Sequence, residues 1–240
     1  QMLTSQFKNI SIVITAGPTV EAIDPVRFIS NNSSGKQGFE IASELTKRGA
    51  KVTVISGPVN IPFPNCENVI EVKTAQEMFN NVTQQLPADV LICCAAVADW
   101  KLIPKTSTNN IIDLNNKIKK TNKNLFFETI KNPDILETIA KSNLRPKIVI
   151  GFSAETDNIK KNAHSKLISK NVDLMIANDV SNNKVFGEDC NEVCFIYKDN
   201  YEQLEKQSKK SVAYHLANKI NDLLVNYKKE AWMLNDEDLN

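Results

Sequence analysis

Long apolar runs are missing from this 240-residue chain. None reaches the ~18 residues of a membrane-crossing helix, and the stretch from Gln1 to Ile14 holds no such segment. No sign of charge dominates either. The 29 Lys plus Arg against 28 Asp plus Glu leave a net charge of +1, so no global field draws the chain to nucleic acid or to an anionic membrane. Any anion site must therefore be local. Histidine is scarce, with only His164 and His215, and no CxxC pair accompanies them, which argues against a structural zinc site. Cys66, Cys93, Cys94, Cys190 and Cys194 form no regular disulfide framework, and Cys93 and Cys94 sit in an apolar run where a buried strand is expected. They read as reduced thiols, and the default location is the cytoplasm. Also absent are an internal repeat, a coiled-coil heptad, the P-loop pattern GxxxxGK[ST] and the dinucleotide fingerprint GxGxxG.

What is present is a globular balance, 42% hydrophobic and 24% charged, in a chain long enough to bury one substantial core. Short β-branched runs alternate with helical patterns. Strands are expected at Ser11 to Thr15, Lys51 to Ser56, Val69 to Val72, Val90 to Cys94, Ile148 to Phe152 and Leu174 to Asn178. Helices are expected at Gly38 to Arg48, where Phe39, Ala42 and Leu45 share a face, and near Thr74 to Gln85, Pro133 to Ala140 and Asn158 to Lys170. Such alternation predicts an α/β fold, a doubly wound, mostly parallel sheet with helices on both faces and active loops beyond the strands' carboxyl ends. Two regions depart from it. Lys101 to Asn124, polar and containing Lys117-Ile118-Lys119-Lys120, is a flap, an assembly arm or a disordered excursion. Glu192 to Tyr197 and Tyr201 to Ser208 flank Lys198-Asp199-Asn200 as a C-terminal hairpin. Val212, Leu216 and Ile220 then mark a final helix, and Lys228 to Asn240 reads as a frayed, solvated tail, residues 228–240, behind a domain of residues 1–227.

The polar strand ends carry the chemistry. Thr15-Ala16-Gly17-Pro18-Thr19 and Ser30 to Gly38 put small residues and hydroxyls before a helix N-terminus, either as an anion cradle or simply as a capping loop. Ala95-Ala96-Val97-Ala98-Asp99-Trp100 allows close ligand approach, with Asp99 able to meet a ribose, a base amino group or magnesium, or merely to cap a turn. In Gly151 to Thr156, Phe152 is suited to stacking on a base but equally to core packing, and Glu155 to holding the loop or a substrate. Lys166 and Lys170, one helical turn apart, fit phosphate or a solvated helix face. Ala177-Asn178-Asp179-Val180 is a further polar strand end.

Taken in order, Thr15 to Thr19, Asp24 to Asn31, Ser33 to Gly38, Ala95 to Trp100, Lys117 to Lys120, Asn132-Pro133-Asp134, Gly151 to Thr156 and Ala177 to Val180 resemble the bacterial phosphopantothenoylcysteine synthetase domain of coenzyme A biosynthesis, from about Ile12 through the final helix. The resemblance implies a Rossmann-like fold, a homodimer and a cytoplasmic ligase that acts on small molecules, not on nucleic acid or membranes. CTP would activate 4'-phosphopantothenate as an acyl-cytidylate in the presence of Mg2+, and L-cysteine would then displace CMP. Asn31 would bind the carboxylate and the acyl-cytidylate, and Lys117 would stabilise charge during attack on phosphate. Ser34, Gly35, Asp99, Phe152, Lys166 and Lys170 would serve the nucleotide, and Arg27, Asn31, Ala95 and Ala96 the pantothenate portion; the magnesium ligands stay unassigned. Asn32 stands where the family often has histidine, and Asn116 where an acidic or small residue often precedes the lysines. The bacterial family carries this domain behind a flavin-dependent decarboxylase domain, so the chain reads as the synthetase half or a standalone form. An ATP-dependent ligation, a noncatalytic module for a phosphorylated metabolite and, less in keeping with the missing glycine fingerprint, a nicotinamide oxidoreductase are the alternatives.

Overall fold

The computed structural model describes residues 5–106, 112, 115–120, 124–179 and 190–237. The first half of the chain runs β1 (Ser11–Ala16), β2 (Val20–Ala22), β3 (Phe28–Ser30), α1 (Lys36–Lys47), β4 (Lys51–Ser56), β5 (Asn68–Glu71), α2 (Ala75–Gln84), β6 (Val90–Cys93) and β7 (Trp100–Lys105). The second half runs β8 (Phe126–Lys131), α3 (Ile135–Ala140), β9 (Ile148–Glu155), α4 (Ile159–Lys170), β10 (Leu174–Asp179), β11 (Cys190–Asn191), β12 (Val193–Ile196), β13 (Tyr201–Gln203), β14 (Gln207–Ser208) and α5 (Lys209–Glu237). The main sheet has the order β13-β12-β10-β9-β6-β1-β4-β5. From β10 to β5 every pairing is parallel, and β12 and β13 add an antiparallel edge.

Alternation along each strand divides the core in two. Ile12 and Ile14 of β1, Val52 and Val54 of β4, and Ile148 and Ile150 of β9 face a layer made by α1 and α5, where Phe39, Leu45, Leu216 and Ile220 are buried. Val13, Ile55, Leu91 and Val149 face the other side, covered by α2, α3 and α4. This is the doubly wound, mostly parallel, Rossmann-like sheet that the alternation predicts. Buried Arg48 joins the α1 and α5 layer: its guanidinium donates to Glu44 at 2.7 Å, to Gln6 at 3.0 Å and to the Asn218 side chain at 2.6 Å.

Several departures from the sequence reading have local causes. The expected hairpin forms between β12 and β13, but Gln207 and Ser208 pair separately with Asn191 and Cys190. Val20–Ala22 and Phe28–Ser30 form a small hairpin too short for a hydrophobic period to reveal. The base of the polar excursion is a two-stranded antiparallel ribbon, with Trp100 opposite Lys131 and Lys105 opposite Phe126. The expected frayed tail from Lys228 is instead helical through Glu237, because α5 is already nucleated by its packed first half and elongation costs little.

Candidate active site

The carboxyl ends of β1, β6 and β9 lie side by side in the parallel sheet and open onto one edge. Two clefts meet there. The first, about 520 Å³, is lined by Asp99, Trp100, Phe152, Lys170 and the Asn132 to Glu137 segment. The second, about 490 Å³, is lined by Asn31 to Gly38, Ala95, Ala96, Ser153, Lys166 and Asn178. Ala95, Val97, Asp99 and Phe152 border both, so the clefts form one elongated depression.

Its floor is fixed by backbone and buried hydroxyls. The Ala96 N–H donates to the Gly17 carbonyl at 2.9 Å and the Thr19 N–H to the Ala96 carbonyl at 3.2 Å. Thr19, fully buried, accepts from the Ala98 N–H at 2.8 Å. Asn31 donates through Nδ2 to the Val97 carbonyl at 3.0 Å, which ties the loop after β3 to the same shelf. Small residues matter here because the chains run close: a Cβ on Gly38 would stand 2.7 Å from that of Ala16. Gly35 caps α1 at φ 77°, a left-handed conformation that glycine adopts without strain. The cradle therefore presents the first turn of a well-packed helix, whose dipole favours an anion and whose Lys36 N–H donates to Ser34 Oγ at 3.4 Å.

Among the lysines that line the depression, Lys166 and Lys170 are each oriented by a carboxylate. Lys166 donates to Glu155 Oε1 at 2.7 Å and to Ser153 Oγ at 3.3 Å, and Ser153 also bonds Glu155. Lys170 donates to Asp134 Oδ2 at 2.7 Å, while Asp134 Oδ1 caps α3 by accepting from the Glu137 N–H at 2.9 Å. The Asn132 side chain donates to the Ala98 carbonyl at 2.9 Å, locking the α3 entry loop to the shelf. Cys93 and Cys94 also border the site. Burial pushes both thiols up to about 12, so neither offers a thiolate nucleophile near neutral pH.

Nine of the predicted site residues thus line the depression: Asn31, Ser34, Gly35, Ala95, Ala96, Asp99, Phe152, Lys166 and Lys170. Arg27 and Lys117 do not. Arg27 instead meets Ile118, the residue after Lys117, at the buried carboxylate of Asp24, for which the sequence reading supplied no role. Asp24 accepts from the Val26 and Arg27 N–H groups at 2.9 and 2.8 Å, from the Arg27 side chain, and from the Ile118 N–H at 3.1 Å. Arg27 also donates to the Ile118 carbonyl at 3.0 Å. The Arg27 guanidinium holds the Asp24 carboxyl far below the usual carboxylate range, against the opposing effect of burial. The Asp-Pro-Val-Arg run was the available signal, since Asp before Pro favours a turn in which the carboxylate bonds its own backbone two and three residues on. Asn132-Pro133-Asp134 was likewise present in the sequence as a motif, without a place. Val180 of the last polar strand end lies outside the described residues.

Comparison with known proteins adds to this geometry. The model of the family described as DNA/pantothenate metabolism flavoprotein C-terminal domain matches residues 7–224. The chain belongs to this family. It is 40% identical over 223 residues to the coenzyme A biosynthesis bifunctional protein CoaBC of Haemophilus influenzae, covering 92% of this chain and 53% of that protein. It is 43% identical over 209 residues to CoaBC of Borreliella burgdorferi, covering 86% and 51%. Among solved structures, the C-terminal domain of CoaBC superposes with a TM-score of 0.75 at 34% identity, covering 92% of this chain and 99% of that one. The chain therefore spans about half the length of the curated relatives it matches. Among the described residues no helix is long and apolar enough to cross a membrane.

Proposed function

We propose that this domain joins 4'-phosphopantothenate to L-cysteine in the cytoplasm, using CTP to form an acyl-cytidylate and releasing pyrophosphate and then CMP. The observation that carries the reading is the single depression at the ends of β1, β6 and β9, with an anion cradle in one half and an aromatic, carboxylate-bearing recess in the other. An elongated nucleoside triphosphate suits that division. Its base and ribose would fill the recess by Phe152, Asp99 and Lys170, and its phosphates would reach the α1 N-terminus and Lys166. The pantothenate carboxylate would sit by Asn31 and Ala96, beside Ser34 and Gly35.

From there the chemistry follows the charges. The carboxylate attacks the α-phosphate, a P–O bond breaks, and pyrophosphate departs. Lys117, carried on the flap beside the Asp24 clamp, would close over the developing charge, and exclusion of water would strengthen that contact. The described residues contain no cluster of three or more His, Cys, Asp or Glu side chains able to cage a metal. Mg2+ is commonly held by one carboxylate and the substrate's own phosphates, and Asp99, which borders both clefts and so reaches from the ribose toward the phosphates, would be that carboxylate. The ion would offset repulsion among the phosphates.

A homodimer goes with this reading. Trp100, Phe126, Phe127 and Ile130 leave large apolar side chains exposed on the β7 and β8 ribbon, a surface suited to a second copy. Sedimentation of a monomer mass at micromolar concentration would remove the dimer.

The test of function supplies phosphopantothenate, cysteine and Mg2+ with each nucleoside triphosphate in turn. CTP is expected to give the highest kcat/KM. A higher value with ATP overturns the nucleotide choice, and no ligated product with any of them overturns the ligase.

A further inference from the structure

Asn178, one of the polar strand-end residues singled out in the sequence, borders the second cleft together with Asn31, Ser34, Ser153 and Lys166. Its Oδ1 is buried and has no hydrogen-bond partner among the described residues. A buried acceptor left unpaired is costly and rare, and it calls for a donor that arrives from elsewhere. The residue sits on an interior strand, in register with Ala154 of β9 and Val193 of β12, so its position is set by the sheet.

The other groups around it narrow the choice of donor. The cleft's anion-binding elements, the α1 cradle and Lys166, suit phosphate and carboxylate oxygens, and those have no hydrogen to give. The reaction proposed above, on which this inference rests, brings in one nucleophile with N–H donors, the amine of an amino acid. We infer that Asn178 binds the amine of the cysteine co-substrate, accepting a hydrogen bond from its N–H and directing the nitrogen lone pair at the activated acyl carbon. In that step the amine nitrogen forms the amide bond and the acyl C–O bond breaks. The electron pair leaves with the phosphate of the nucleoside monophosphate, and the proton shed by the nitrogen goes to that departing phosphate.

A carboxamide suits the task better than a carboxylate. A carboxylate would favour the ammonium form, which has no lone pair, and would repel the neighbouring phosphates. The charged side chains bordering the same cleft are Lys36, Asp99, Lys166 and Lys209, with Glu155 bonded to Lys166. The net positive surroundings also favour a neutral amine.

The test separates the two half-reactions in the full chain. Asn178→Leu keeps the volume and removes the acceptor. Pyrophosphate release without cysteine is expected to stay near that of the unmodified protein, while the cysteine concentration for half-maximal product formation rises about tenfold. Asn178→Asp keeps an acceptor and adds charge, so the pH at which the cysteine step reaches half its maximal rate is expected to move upward. A purely structural role would not move that profile. Unchanged cysteine dependence in the Leu variant, or pyrophosphate release that falls in step with product, overturns the assignment. Should circular dichroism show the Leu variant unfolded, the Asp variant decides, and an unmoved pH profile overturns the assignment. If the unmodified protein makes no pyrophosphate with any nucleotide, the ligase reading fails and takes this inference with it; if it is active and both variants match it, only the Asn178 assignment falls.

Discussion

The shelf at the strand ends and the flap that carries Lys117 contribute to the same proposed site but are held by different forces. Ala95 to Asp99 is pinned through Gly17, Thr19, Asn31 and Asn132, a set of backbone and short side-chain bonds continuous with the sheet. The Lys117 to Lys120 segment is tied to the body at Ile118, by one carboxylate and one guanidinium. The first arrangement gives precision, because moving the shelf means deforming packed strands. The second can let go without disturbing the core, which is what a group that closes only over bound substrate needs.

If that division holds, the largest effect should come from the flap and should be purely kinetic. Lys117→Gln preserves length and polarity while deleting the charge. It is expected to cost about 2–4 kcal/mol of transition-state stabilisation, comparable to losing an oxyanion donor. Quenched-flow measurement of pyrophosphate release without cysteine reads this directly. The melting temperature should not change, and near-normal pyrophosphate release would remove Lys117 from the chemistry.

On the shelf side the matching change acts through packing. Gly38→Ala pushes a methyl group to 2.7 Å from the Ala16 Cβ and must drive α1 off the end of β1. Overpacking of this kind costs about 1–3 kcal/mol, against which the gain in helix propensity of roughly 1 kcal/mol is the smaller term. Urea denaturation should show the loss, together with a raised KM for nucleotide as the cradle shifts. A stable variant with normal KM would mean that the cradle does not hold phosphate.

The clamp between the two regions is the subtler target. Asp24→Asn removes the charge that holds Arg27, and activation is expected to slow about tenfold because the flap is less well placed. Trypsin should cut faster at the nearby lysines, while the melting temperature moves little. The acid response of the unmodified protein sharpens the point. The folded-state pKa of Asp24 is lowered, so its contribution is fully present above the ordinary carboxylate value and is lost only as pH falls through the much lower folded value. Protection of the flap from proteolysis by an acid-active enzyme should therefore persist at pH 5. Loss of protection there would show that Asp24 is not what holds it.

Much of the shelf was legible before any coordinates. Ser11 to Thr15, Val90 to Cys94 and Ile148 to Phe152 announced parallel strands by their apolar runs, and the polar residues just after them marked the site edge, because in such sheets loops at the carboxyl ends face ligands. Capping also showed: Thr74 accepts from the Glu77 N–H at 3.1 Å, the local pattern that starts α2. The ribbon was not legible, since Trp100 to Lys105 and Phe126 to Lys131 are more than twenty residues apart and lack a shared alternation. The Asp24 turn had a local signal in Asp-Pro-Val-Arg, but its link to the flap did not, as Asp24 and Ile118 are joined only across 94 positions of sequence.

Local chemistry in the sequence by itself determined the α/β class, the strand ends that border the depression and the small residues that permit close approach, because hydrophobic period and backbone freedom are properties of neighbouring residues. Tertiary structure alone decided that Lys166 and Lys170 face the cleft with Glu155 and Asp134 as partners, that Asp24 rather than Arg27 is the hub of the flap, and that Asn178 Oδ1 has no hydrogen-bond partner among the described residues. Those outcomes depend on which strands lie side by side, and the register between distant segments is set by burial of the whole core, not by any one of them.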